Sequence, residues 1–125
     1  MDAPAVAVSA DGKTIAVAWM DMRRGPSERD AWWRIIRNGK PGREMALADD
    51  QEGIQGHTAL AIDKEDVVHA AWVSRGSIFY RNSGNGEIVK VSGERGATQP
   101  SLAVNGDVVV VAYEVRKKAF VRRVK

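Results

Sequence analysis

This chain has no cysteine, which rules out disulfides and thiolate metal sites and leaves the compartment open. Its two histidines, His57 and His69, lack a spacing partner for a metal. No apolar run approaches the length needed to cross a bilayer as a helix. Met1-Asp2-Ala3-Pro4 leads straight into the first patterned segment, with no basic and apolar leader ahead of it. No signal peptide is therefore expected in the chain as given, and an extracellular or periplasmic home would require a leader already removed. No segment of useful length carries helical periodicity. Glycines 84, 86, 93 and 96 fall in turns, without the strand-to-helix setting that cradles phosphate, and no Ser-His-Asp set can be assembled. Neither a cofactor nor a metal is implied.

What the chain does contain is one pattern written three times. Pro4-Ala-Val-Ala-Val-Ser9 returns as Thr58-Ala-Leu-Ala-Ile-Asp63 and as Pro100-Ser-Leu-Ala-Val-Asn105. Each copy is followed by a short polar turn and a second apolar run that ends in an aromatic residue: Trp19, Trp72 or Tyr113. Asp11-Gly12 and Asn105-Gly106 in those turns are strong hairpin signals, because both pairs tolerate positive φ. Third strands are expected at Asp30-Ala-Trp-Trp-Arg-Ile-Ile-Arg37, Ser77-Ile-Phe-Tyr-Arg81 and Lys118-Ala-Phe-Val-Arg122. Fourth strands are expected at Arg43-Glu-Met-Ala-Leu47 and Glu87-Ile-Val-Lys-Val91, and the third repeat stops before one.

The length of 125 residues, with 44% hydrophobic and 28% charged residues, fits one soluble globular domain rather than two cores or a disordered tail. Repeats roughly 40 to 50 residues long, with several strands each, are the mark of propeller blades. The fold class expected is all-β: a partial β-propeller of three antiparallel blades with four, four and three strands. The blades fall at approximately residues 3–50, 51–96 and 97–125 of a single domain. Complete propellers need about four to eight blades. Three blades leave two apolar flanks open, so either the chain is part of a longer one or copies associate. A homodimer completing a six-bladed ring is the favoured partner, since cyclic dimers are the commonest oligomers.

Net charge is +3, from 19 basic and 16 acidic residues, and it is unevenly spread. Arg116, Lys117, Lys118, Arg122, Arg123 and Lys125 crowd the C-terminus without an acidic partner. Their alternation with Val115, Phe120, Val121 and Val124 reads as a strand with one solvated face. Nucleic-acid binding is not the expected role, although such a run can attract polyanions.

The form Pro-x-Val-Ala, a turn, then Gly-x-Ile-x-Val-x-Trp resembles the blades of sialidase-like propellers, the neuraminidase superfamily with its Asp-box (BNR) repeats. That resemblance covers nearly the whole chain. It implies a glycoside hydrolase framework with an acidic general acid/base in the loop after the second strand, for which Asp30 and Glu28 are the candidates. It also implies an arginine ahead of the first strand to clamp a sugar carboxylate, and here Asp2 occupies that position. The Asp box is reduced to its turn glycines at Arg37-Asn-Gly-Lys40 and Ser83-Gly-Asn-Gly86. A non-catalytic, self-associating module that presents a glycan- or protein-binding face is therefore the expectation. The alternative is a fragment of a sialidase-type hydrolase whose catalytic blades are absent.

Candidate ligand-binding residues follow from the blade edges. Asp21 and Arg23 lie just past Trp19, and Arg75 and Arg116 recur past Trp72 and Tyr113. Arginines near a common axis suit a carboxylate or phosphate; their bland role is pairing with nearby acids such as Asp21 or Glu114. Trp32 and Trp33 must point to opposite faces of a strand, and Trp33 joins the candidates as a surface on which a sugar ring can stack. His69, mid-strand among alanines, reads as a core hydrogen bonder.

Overall fold

A computed structural model describes residues 3–48 and 55–125 of the chain. All regular structure among these residues is β, in three antiparallel sheets that do not close into a barrel. The first sheet holds β1 (Ala5–Val8), β2 (Thr14–Asp21), β3 (Asp30–Arg37), β4 (Lys40–Pro41) and β5 (Met45–Ala46). The second holds β6 (Gln55–Ile62), β7 (Val68–Ser74), β8 (Ser77–Asn82) and β9 (Asn85–Lys90). The third holds β10 (Ala97–Asn105), β11 (Val108–Val115) and β12 (Lys118–Arg123). Within each sheet the strands follow chain order, and β6 lies against β1 on one side and β10 on the other. The arrangement is consistent with a partial, propeller-like β fold. Asp2 lies outside the described residues.

Two local features differ from the sequence reading. The fourth strand of the first sheet comes in two pieces, with β4 paired to β3 at Ile36 and Arg37 and β5 paired at Trp32 and Trp33. Pro41 has no N–H to donate, and Gly42 turns back to Ile35 O at 2.8 Å, so the ladder breaks there. The first strands of the second and third sheets also begin earlier than expected. Each runs through a bulge, between Gly56 and Ala59 and between Thr98 and Ser101. His57 (φ 47°) and Gln99 (φ 55°) occupy the left-handed region inside those bulges.

Side-chain alternation explains how the sheets stack. Cross-strand partners share a face, so Trp19 with Trp32, Trp72 with Phe79 and Tyr113 with Phe120 mark one bulky face per sheet. Opposite faces start from small residues, such as Ala16, Ala18 and Ala31 in the first sheet. The bulky face of the second sheet, with Val68, Ala70 and Trp72, buries against Ala16, Ala18, Ala31 and Trp33 of the first. Val109, Val111 and Tyr113 of the third sheet bury against Ala71, Ile78 and Tyr80 of the second. Backbone bonds from Gln55 N to Arg29 O (2.7 Å) and from Ala97 N to Gly76 O (2.8 Å) tie each new sheet to the loop of the one before.

Stacking three such sheets leaves one face of each kind uncovered. On the first sheet the bulky face is bare, and Val6 and Val8 are 70% and 61% exposed. The third sheet leaves its small-residue face open, with Ala103 and Ala119 exposed and Val121 61% exposed.

Candidate functional site

The stacking creates two clefts, one at each junction between sheets, of about 350 Å³ each. The first is lined by Trp32, Trp33, Arg43, Glu44, Met45, Ala46 and Arg81. Arg81, on β8 of the second sheet, reaches across to the first and donates from Nη1 to Leu47 O at 2.7 Å. Its guanidinium lies 5.3 Å from the Trp33 ring centroid, a cation–π distance. Trp33 is 1% exposed, and its buried Nε1 has no hydrogen-bond partner among the described residues. Glu44 Oε2 accepts from Arg23 Nη1 at 3.0 Å, and no hydrogen bond reaches Oε1 among the described residues.

The second cleft lies between the second and third sheets and is lined by Glu94, Arg95, Val115, Arg116, Lys118 and Phe120. Here the acid is fully engaged. Glu94 Oε1 accepts from the Tyr113 hydroxyl at 2.6 Å, and Oε2 accepts from Arg122 Nη2 at 3.1 Å. The Tyr113 bond, with Arg122 adding its charge, holds the Glu94 carboxyl below its usual range although partial burial opposes this. Tyr113 moves the other way, pushed up to about 12 by burial and by the carboxylate it donates to. Phe120 stacks on Tyr113 with centroids 5.6 Å apart, and the Arg122 guanidinium sits 5.6 Å from the Phe120 ring.

The sequence candidates divide among several places. Asp21 and Arg23 meet, with Nη2 to Oδ2 at 2.7 Å, and Arg23 covers the outward face of Trp32 at 4.0 Å. Bonds from the Arg23 side chain and backbone N–H, with Trp19 Nε1 also donating, hold the Asp21 carboxyl below its usual range although partial burial opposes this. A smaller hollow of about 260 Å³, formed by Met20, Asp21, Met22 and Arg29, lies alongside. Trp33 lines the first cleft and Arg116 the second. Arg75 is exposed at the tip of the β7–β8 turn, in a left-handed conformation (φ 52°) that Arg116 shares at the β11–β12 turn (φ 50°). Asp30 is 1% exposed and faces Arg24 Nε at 3.3 Å, while Glu28 is half-buried in the loop between β2 and β3.

His69 is a core residue of the second sheet. Its Nε2 contacts Asp63 Oδ2 at 2.8 Å and its Nδ1 contacts the Tyr80 hydroxyl at 2.7 Å. Burial pushes the Asp63 carboxyl up, but hydrogen bonds from His69, Val67 N and Glu65 N outweigh it and leave the group below its usual range.

Four residues in or beside the clefts were missed as site residues by the sequence reading. Arg81 and Arg122 stand two positions after Phe79 and Phe120, as Arg34 stands two after Trp32. That spacing places each arginine on the bulky face of its sheet, so the aromatic-x-Arg recurrence was the available signal. Glu44 and Glu94 gave no such signal, because one flanks an interrupted strand and the other sits in a connecting loop.

No protein-family model matches the chain, and no curated protein matches it. Among solved structures, a fucose lectin from Kordia zhangzhouensis in complex with methyl-fucoside aligns with it at a TM-score of 0.51 and 11% identity. The alignment covers 96% of this chain and 97% of the lectin's. This likeness is one of fold alone.

Proposed function

We propose that the chain is a non-catalytic carbohydrate-binding β module that takes one saccharide unit in its first cleft. The observation that carries this reading is the buried Trp33 indole N–H, unpaired among the described residues, in a cleft that also holds Arg81 and the open oxygen of Glu44. A buried donor left unsatisfied costs about 1–3 kcal/mol, and a sugar hydroxyl satisfies this one when the cleft wall over Trp33 yields to admit it. Arg81, held by Leu47 O, fixes a positive charge on the wall of the cleft, and Glu44 Oε1 is an acceptor. The lectin of shared fold is recorded with a methyl-fucoside, which makes methyl α-fucoside the first probe.

Calorimetric titration of the chain with methyl α-fucoside tests this. Binding that Trp33→Phe and Glu44→Gln each weaken at least several-fold, with the fold intact, is expected. Unchanged affinity in both variants would move the site elsewhere. The hydrolase-fragment reading draws less support, because Asp30 is buried against Arg24 rather than open to a substrate. Hydrolysis of a fluorogenic sialoside, abolished by Asp30→Ala, would restore it.

Self-association belongs to the same proposal. The bare bulky face of the first sheet is the kind of surface that the second and third sheets bury, and the bare small-residue face of the third is the kind that receives it. A second copy therefore fits head to tail, and two such contacts close a six-bladed ring. Light scattering should give twice the 13.6 kDa of one chain, reverting to a single chain in Val8→Glu. A wild-type protein that stays monomeric at high concentration would end this part of the reading.

A further inference from the structure

We infer that the second cleft is a distinct subsite for an anionic saccharide, a sugar carrying a sulfate ester or a carboxylate. The inference rests on the carbohydrate reading for the sugar and on the cleft itself for the charge. Arg95, Arg116 and Lys118 line it, and among the described residues none of their side chains makes a hydrogen bond or ion pair. The acid of the cleft, Glu94, cannot neutralise them, because Tyr113 and Arg122 already occupy both of its oxygens. Three cations thus surround an apolar floor formed by Phe120 and Val115 with no counter-charge assigned to them.

A sulfated or carboxylated pyranose matches both halves of that surface. Its C–H face rests on the Phe120 ring, and its anionic oxygens accept charge-assisted bonds from the guanidinium and ammonium groups. The basic C-terminal strand thereby acquires a role: two exposed residues from its turn and start, Arg116 and Lys118, line the cleft.

The test compares fucose 4-sulfate with methyl α-fucoside on the full chain and on the double variant Arg116→Asn/Lys118→Gln. Asn suits the left-handed turn position, so that variant removes charge without straining the hairpin. Amide NMR titration locates each ligand. The sulfated sugar should bind at least about tenfold more tightly than the neutral one and shift residues 94–95 and 115–120. Its affinity should fall about fivefold between 0.05 and 0.5 M salt and in the double variant, while fucoside binding at the first cleft stays unchanged. Fucoside shifts at the first cleft without any preference for the sulfated sugar at the second would overturn this inference and leave the proposed function standing. Sulfated-sugar binding at the second cleft with no fucoside binding would support the inference and sink the first-cleft reading. Equal affinity of the second cleft for inorganic sulfate, or for a single-stranded oligonucleotide, would overturn it by showing mere anion attraction.

Discussion

The two clefts have the same volume, yet they differ in how their charges are used. In the first, two tryptophans line the space, Arg81 is tethered to a backbone carbonyl, and Glu44 keeps one oxygen open. In the second, a phenylalanine lines the space, the acid is saturated, and three cations stand without partners among the described residues. A repeated fold therefore yields one cleft with an indole N–H and a carboxylate oxygen unsatisfied among the described residues and one with positive charge unsatisfied. The lesson is that two or three side chains decide which chemistry a pocket in a repeated fold accepts.

The largest effect that would break this comparison comes from Trp33. Trp33→Ala removes a fully buried side chain between the first two sheets, and the expected destabilisation is about 3–5 kcal/mol by urea unfolding. Phe120→Ala at the half-buried position of the second cleft should lose clearly less. Equal losses would mean that both junctions rest on their aromatic linings alike.

Titration sharpens the contrast next. Tyr113 ionises near 12 in the fold and near 10 when unfolded, so its contribution is complete below pH 10. That contribution is lost as pH rises from 10 towards 12. Glu94, held below its usual range, contributes above that range and loses its contribution as pH falls through the folded value. Tyr113→Phe should flatten the alkaline limb of the stability profile and return Glu94 towards its ordinary titration, read by carboxyl NMR. An unchanged profile would show that the bond holding the acid in the second cleft has no weight.

A smaller effect distinguishes the turns that end these sheets. Arg75-Gly76 uses glycine at its second left-handed position, whereas Arg116-Lys117 places lysine there. Lys117→Gly should raise stability by up to about 1 kcal/mol, seen as a thermal midpoint a few degrees higher. Gly76→Ala should lower it, because a side-chain carbon there would be strained and would lie 3.2 Å from Gly96 N.

Much of the architecture was readable beforehand. The threefold alternation of large and small residues, with Asp11-Gly12 and Asn105-Gly106 between runs, is a local signal that survives without tertiary context. The interruption at Pro41-Gly42 and the bulges at His57 and Gln99 were not readable, because they depend on which partner strand sits opposite. Strand geometry alone put neighbouring Trp32 and Trp33 on opposite faces but not which faced outward: Trp33, the expected stacking surface, lies buried between sheets, and Trp32 lies under Arg23 on the other face. The clefts were less legible, since each joins residues far apart in the chain, such as Glu44 with Arg81 and Glu94 with Arg122. Arginines past the aromatic anchors drew attention first, while the third-strand arginines that cross between sheets followed a spacing that was present but unweighed.

The four tryptophans give four indole N–H signals, and these offer the most direct test of the carbohydrate reading. On titration with methyl α-fucoside, the Trp33 indole signal should move most, while Trp19, whose N–H is already given to Asp21, should stay nearly still. A Trp33 signal that does not move while the sugar binds would contradict the account.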